Sequence, residues 1–211
     1  MNAKDIIKNK IENLISSNIV QILKVSSGGL IFNEGDTCES LGYVYKGKIN
    51  ISTLSISSKE EIISTISDGD FFGQFLIFNE ENNKYLGDII ANKNSEVVLI
   101  SKELLYKLFM TDKEFLSAYL SKVSNEAYKI KQQVKLLSHK KNIDRVIYYL
   151  KTNNINKEID IKSITNLSKI VNLPRENVSR IISKLERDGL ITKDKNIITL
   201  TDKIKKCALN G

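Results

Sequence analysis

The sequence predicts an α+β protein: an antiparallel barrel or sandwich of short strands, then one long helix, then a C-terminal helix-turn-helix with a small wing. Three observations predict it. β-branched runs recur between glycine-marked turns over residues 19–100, a strict 4,3 apolar spacing runs from Leu116 to Leu137, and the excess positive charge of this 211-residue chain sits in its last third. That length allows one large domain or two small ones.

The elements follow in chain order. Over residues 1–18, Ile7, Ile11, Leu14 and Ile15 keep a helical spacing. The runs IVQILKV, LIF, YVYKGKINIST, EEIISTI, DIIAN and EVVLI then read as strands. Gly28-Gly29, Gly35-Asp36, Gly47, Asp68-Gly69-Asp70 and Gly73 mark the turns between them. KELLYKLFM, 102–110, reads as a short helix. Leu116, Leu120, Val123, Ala127, Ile130, Val134 and Leu137 form an a/d seam on a helix from about 112 to 137. Such a helix is about 39 Å long at its usual rise per residue. Lys122, Glu126, Lys129, Lys131 and Lys135 occupy its other faces. One narrow apolar stripe on so long a helix wants a partner helix, and the simplest partner is a second copy of the chain. The alternative is packing against the chain's own strands.

SHKKN, 138–142, is short, polar and basic, and reads as a hinge. Beyond it, Ile143, Val146, Ile147 and Leu150 share one face of a helix. ITNLSKIVN and RENVSRIISKLERDG read as two helices joined at Asn172-Leu173-Pro174, with Gly189 ending the second. LITKDKNIITLT gives two wing strands turning at Lys193–Asn196, and residues 202–209 can add a final helical turn.

Charge placement points to a polyanion. Residues 1–138 hold sixteen Lys/Arg against seventeen Asp/Glu, whereas residues 139–211 hold sixteen against eight, a net of +8. All four arginines, Arg145, Arg175, Arg180 and Arg187, lie in that basic part. In a chain that otherwise uses lysine, those positions call for the planar guanidinium fork. The bland alternative is a solvated basic face. On the second helix, Arg175, Glu176, Ser179 and Arg180 stack one turn apart on one face, and Val178, Ile181, Ile182 and Leu185 form the other. In a DNA-binding helix-turn-helix that second helix enters the major groove. Arginine bridges O6 and N7 of guanine, and a carboxylate accepts from N4 of cytosine. A glutamate between two arginines suits base reading better than a plain phosphate patch. Ser163, Thr165, Asn177 and Lys184 are candidate phosphate contacts, which position without specifying. Pro174 suits the start of that helix.

Other chemistries find little support. The two cysteines, Cys38 and Cys207, are far apart, and His139 is the only histidine, so no zinc site or nucleophile–base pair is expected. GDFFG is a glycine-bounded turn without the lysine of a phosphate loop. The chain reads as a non-enzyme. Its first residues read as lacking the pattern of a signal peptide, no apolar run is of membrane-spanning length, and the chain is expected to be cytoplasmic with no membrane partner.

LSKIVNLPRENVSRIISKLERDGLI resembles the helix-turn-helix of the Crp/Fnr family of bacterial transcription regulators. GLIFNEGDTCESLGYVYKGKINI and ISDGDFFGQFLIF resemble that family's cyclic-nucleotide-binding-type β-roll, and the heptad helix stands where the family has its dimer helix. The resemblance covers essentially the whole chain. It implies an effector-sensing, jelly-roll-like β-roll with flanking helices over 1–111, a dimerisation helix over 112–138 and a winged helix-turn-helix over 139–211. It also implies a homodimer on double-stranded DNA at a near-palindromic operator, with RNA polymerase as a further partner if the protein activates. Arg175, Glu176, Ser179 and Arg180 fall on the family's base-reading positions. A TGA core is expected in each half-site, its G·C pair taken by Glu176 and Arg180. Arg175 with Ser179 mixes two subgroups, so TGTGA-like and TTGA-like sites both stay open.

The same resemblance places the effector pocket at Phe72, Gly73, Gln74, Lys84, Tyr85, Val123, Ala127 and Ile130. Members that bind cyclic nucleotides have Glu after Phe-Gly and Arg before Ser or Thr, where this chain has Gln74 and Lys84-Tyr85. They also present hydroxyls where this chain has Ile130-Lys131. cAMP is therefore not expected, and two distant cysteines do not suit an iron–sulfur cluster. Haem, a small organic ligand, or no effector at all stay open.

Overall fold

The computed structural model describes residues 2–55 and 60–206, so Cys207 and the last positions of the expected terminal turn lie outside the described residues. The chain divides into two compact units, Met1–Glu126 and Ala127–Gly211.

The first unit opens with α1 (Ala3–Ser16), capped by the Asn2 side chain, which accepts from the Asp5 amide. Ile7, Ile11 and Leu14 are buried, as the spacing predicts, and Ile15 is half-buried. Eight strands follow: β1 (Ile22–Val25), β2 (Leu30–Phe32), β3 (Ser40–Lys46), β4 (Lys48–Leu54), β5 (Glu60–Ser67), β6 (Phe71–Phe72), β7 (Asp88–Ala91) and β8 (Ser95–Ser101). They form two four-stranded sheets, ordered β1-β8-β3-β6 and β2-β7-β4-β5, with every pairing antiparallel. Side chains from both sheets join one core: Leu41, Tyr43 and Val44 from β3, Ile49 from β4, Ile89 from β7, and Val97, Val98 and Ile100 from β8. This is the expected antiparallel roll. One element is new. Residues 68–73 read as punctuation, yet Phe71 and Phe72 pair with Tyr43 and Gly42 as a two-residue strand. Two residues are too few for a periodicity to reveal.

Two glycines are fixed by close approach. Gly47 alone joins β3 to β4 with φ of +107°, a conformation side chains avoid, and a Cβ there would also run into Ser95. Gly42 lies under the Phe72 ring, 2.0 Å from where its Cβ would stand.

α2 (Lys102–Thr111) is capped by Ser101 and buries Leu105 and Leu108. α3 (Lys113–Ser138) runs 26 residues. Asp112 caps it, accepting from the Phe115 amide at 2.9 Å while pairing with Lys10 at 2.6 Å. That lysine, and then the amide, hold the Asp112 carboxyl below its ordinary range. Phe115, Ala118 and Tyr119 are buried in the core of the first unit. Phe71 lies between Tyr43 and Tyr119, with ring centroids 5.4 and 5.8 Å away. Further along α3 the seam emerges. Leu116 and Val123 are half-buried, while Leu120, Ala127, Ile130, Val134 and Leu137 are exposed.

The second unit holds the rest of α3 together with α4 (Asn142–Thr152), β9 (Glu158–Asp160), α5 (Ile164–Val171), α6 (Arg175–Arg187), β10 (Ile191–Asp194), β11 (Ile197–Leu200) and a 3-10 turn over Asp202–Lys206. Its core joins Val146, Ile147 and Leu150 of α4 to Leu167 and Val171 of α5 and to Val178, Ile182 and Leu185 of α6, with Ile191, Ile198 and Leu200 from the wing. The wing has three strands, not two: β9 pairs antiparallel with β11, giving the order β10-β11-β9. β9 is three residues long, and Asn156, Lys157 and Lys162 on its flanks all have positive φ. Nothing in a Lys/Asn-rich stretch announces a strand.

Replacing Gly42 with Ala should displace the Phe72 ring and destabilise the roll by about 2 kcal/mol, within the usual range for overpacking. The check is the melting midpoint followed by near-UV circular dichroism. An unchanged midpoint would mean that the ring moves freely.

Candidate nucleic-acid interface

α5, its turn and α6 are built from local rules. Ser163 caps α5, its Oγ accepting from the Asn166 amide at 3.0 Å. Asn172 ends the helix in the left-handed conformation, at φ 50° and ψ 57°. This lets the Leu173 amide donate back to the Ser168 carbonyl at 3.0 Å. Pro174 sits one position before the first helical residue of α6, and its carbonyl accepts from the amides of Asn177 and Val178. Gly189 follows the far end of α6 with φ of +69°, and its amide donates to Glu186.

The amphipathic split of α6 then decides what faces outward. Val178, Ile181, Ile182 and Leu185 are buried. Arg175, Glu176, Ser179 and Arg180 are exposed, and with Ile164 of α5 they line an open groove of about 340 Å³. Among the described residues, none of these four side chains makes an ion pair or hydrogen bond. Two guanidinium forks and a carboxylate are thus displayed with their hydrogen-bonding capacity unused. Thr165 and Lys184 are exposed, Asn177 is half-buried, and Ser163 is half-buried with its oxygen engaged in the cap. The wing tip adds Lys195 and Asn196, both exposed.

Arg145 departs from the sequence expectation. The sequence places it with the arginines reserved for a polyanion. Instead one guanidinium nitrogen donates to the carbonyls of Val171 and Asn172, and the other to those of Leu137 and His139. Its fork is used on backbone oxygens.

The residues expected at the effector pocket are partly gathered. Phe72 and Tyr85 are buried and both contact Phe32, with centroids 6.3 Å and 4.8 Å from it. Tyr85 stacks on Phe32 at 24° and lies beside Cys38 and Gly73 in the roll. Cys38 donates weakly to the carbonyls of Ser40 and Gly73. Burial pushes both the Cys38 thiol and the Tyr85 phenol above their ordinary ranges, so both are neutral near pH 7. Gln74 donates from Nε2 to Glu126 of α3 at 2.6 Å. Lys122 in turn pairs with both Glu126 and Asp70. Lys122 and Glu126 read from the sequence as solvated outer-face residues. The structure makes them the polar partners of the Asp70–Gln74 turn, and their i,i+4 spacing was the only available signal. Lys84 is exposed, Val123 packs against the core of the first unit, and Ala127 and Ile130 are exposed in the second unit. Among the described residues no group of three or more His, Cys, Asp or Glu could hold a metal ion, and no helix is long and apolar enough to cross a membrane.

Comparison with known proteins finds two domain families in the same chain. The cyclic nucleotide-binding domain family matches residues 22–112, and the Crp-like helix-turn-helix domain family matches residues 144–205. The cAMP-activated global transcriptional regulator Vfr of Pseudomonas aeruginosa is 28% identical over 172 residues, covering 76% of this chain and 80% of Vfr. The anaerobic regulatory protein of Bacillus subtilis is 24% identical over 200 residues, covering 87% of this chain and 84% of that protein. Among solved structures, OCPA-complexed CprK matches with a TM-score of 0.65 at 18% identity, covering 90% of each chain. The c-di-GMP-responsive regulator CLP of Xanthomonas campestris matches with a TM-score of 0.54 at 21% identity, covering 91% of this chain and 98% of CLP.

The Tyr85 hydroxyl is buried facing the Cys38 thiol, a weak partner, and makes no stronger hydrogen bond among the described residues. Tyr85→Phe should therefore leave the roll as stable or stabilise it by about 1 kcal/mol, because the buried hydroxyl is removed at the loss of only a weak contact with a thiol. Thermal unfolding of the two proteins checks this. A clear loss of stability would show that the hydroxyl is held.

Proposed function

Because the chain belongs to the Crp/Fnr family of DNA-binding transcription regulators, we propose that it reads a near-palindromic operator as a homodimer, through Arg175, Glu176, Ser179 and Arg180 on each copy of α6. One observation carries this reading: those four side chains are exposed and uncommitted on a helix whose other face is locked in the core. Arginine there can take the O6 and N7 acceptors of guanine, and Glu176 the amine of the paired cytosine. Ser163, Thr165, Asn177 and Lys184 surround them as phosphate contacts that set register. The seam residues Leu120, Ala127, Ile130, Val134 and Leu137 support dimerisation, because an exposed apolar stripe on a long helix is stabilised by a second copy of itself. The protein is a regulator and not an enzyme, and RNA polymerase is its further partner where it activates.

cAMP is not its effector in this reading. Glutamine stands where nucleotide-binding members have glutamate, and it is already bonded to Glu126. The neighbouring Lys84-Tyr85 puts a buried ring where a small hydroxyl is required. Lysine also lacks the bidentate fork for phosphate.

A second reading, in which the basic C-terminal unit docks a protein, predicts no affinity for duplex DNA at low salt. The DNA reading predicts binding that weakens steeply as salt rises. Arg180→Ala should lower operator affinity about tenfold or more, the value of one bidentate base contact, and leave the dimer intact in sedimentation. Equal protection of the same operator by that variant would overturn the assignment. Adding cAMP should change neither the melting temperature nor the operator affinity, and a rise in either would restore cAMP as the effector.

A further inference from the structure

We propose that Arg145 determines which half-site spacing the dimer accepts, by clamping the end of α3 to the turn that launches α6. The proposal rests on the dimeric, operator-binding reading above.

Arg145 lies in the first turn of α4 and is half-buried. One of its terminal nitrogens donates to Val171 and Asn172 at 3.4 and 3.3 Å, and the other to Leu137 and His139 at 3.4 and 3.3 Å. Val171 and Asn172 end α5, two residues before Pro174. Leu137 is in the last turn of α3. Carbonyls at a helix C-terminus have no intrahelical donor and carry the negative end of the helix dipole. Two such ends converge here on one cation. A guanidinium holds its two nitrogens in a fixed plane, so it ties both helix ends at a set separation and angle. An ammonium group could neutralise the charge but could not span both ends in that way.

Other contacts tighten the same joint. Gln133 of α3 donates from Nε2 to the Ile170 carbonyl of α5 at 3.1 Å. The His139 ring packs on Tyr148 of α4 at 4.7 Å, and Lys135 lies 5.6 Å over the same tyrosine ring. All these residues belong to the Ala127–Gly211 unit, as do the seam positions Ala127, Ile130, Val134 and Leu137. The second half of the dimer seam and the reading face are therefore parts of one clamped body. In a two-fold dimer the separation of the two reading faces follows from how each α6 is held relative to the seam. Loosening the clamp leaves each half-site contact intact but lets the two faces vary in separation.

The test uses full-length protein and duplexes carrying the operator that wild type selects from randomised DNA. The spacer between half-sites is lengthened or shortened by one or two base pairs, and affinity is read by fluorescence anisotropy at fixed salt. Wild type should prefer one spacing by about tenfold, on the scale of one mismatched base pair. R145K keeps the charge and should narrow that preference to about twofold, with dimeric mass and non-specific DNA affinity unchanged. A folded R145K dimer that keeps the wild-type spacing preference overturns the proposal alone. A wild type with no spacing preference overturns the dimeric-operator reading and the proposal with it. Should R145K fail to fold by circular dichroism, Gln133→Ala, at an exposed position, carries the test. A partial narrowing supports the clamp, and an unchanged preference overturns it.

Discussion

A helix of thirteen residues in a small domain can bury only one face, and α6 commits Val178, Ile181, Ile182 and Leu185 to the core of the second unit. That commitment orients everything else in the unit. It turns Arg175, Glu176, Ser179 and Arg180 outward together, because helical periodicity places them opposite the buried four. It also explains why so much local structure gathers at the turn before α6. The left-handed Asn172, the back-bond from Leu173 to Ser168 and the proline before the helix all fix where α6 begins. A helix start shifted by one residue would rotate the reading face by about a quarter of a turn.

α3 shows the same economy of faces on a longer scale. Its first turns contribute Phe115, Ala118 and Tyr119 to the core of the roll. Lys122 and Glu126 then engage Asp70 and Gln74, the residues bracketing Phe71-Phe72-Gly73. Beyond them the apolar positions are exposed, with Ile130 and Val134 more than half accessible. A stripe of that kind is stable in water only when something covers it, and a second copy of the same helix would cover it knob into hole. The Asp70–Gln74 turn is thereby held by polar side chains of the chain's own long helix.

Arg145 shows how composition can mislead in detail while remaining right in bulk. Four arginines in the basic third of the chain suggested four uses of guanidinium on a polyanion. Three of them, Arg175, Arg180 and Arg187, are exposed on α6. The fourth uses the same planar fork on carbonyl oxygens inside the unit. At Arg145 the partner of the guanidinium is backbone carbonyl oxygen and not a polyanion. A partner contributed by residues eight positions before and twenty-six or twenty-seven after Arg145 leaves no trace in local sequence.

The sequence by itself determined the class of fold, the apolar stripe on α3 and which residues lie on the outer face of α6. All of these are set by short-range periodicity and by turn residues such as Asn172, Pro174 and Gly189. Only the tertiary structure decided the two-residue strand at Phe71-Phe72, the third wing strand over Glu158–Asp160, the Lys122–Glu126 attachment to the Asp70–Gln74 turn, the burial of Tyr85 against Phe32, and the clamp at Arg145. Each of these depends on residues far apart in the chain meeting through pairing, stacking or charge. Such meetings are properties of how elements pack, and no local pattern in the chain encodes them.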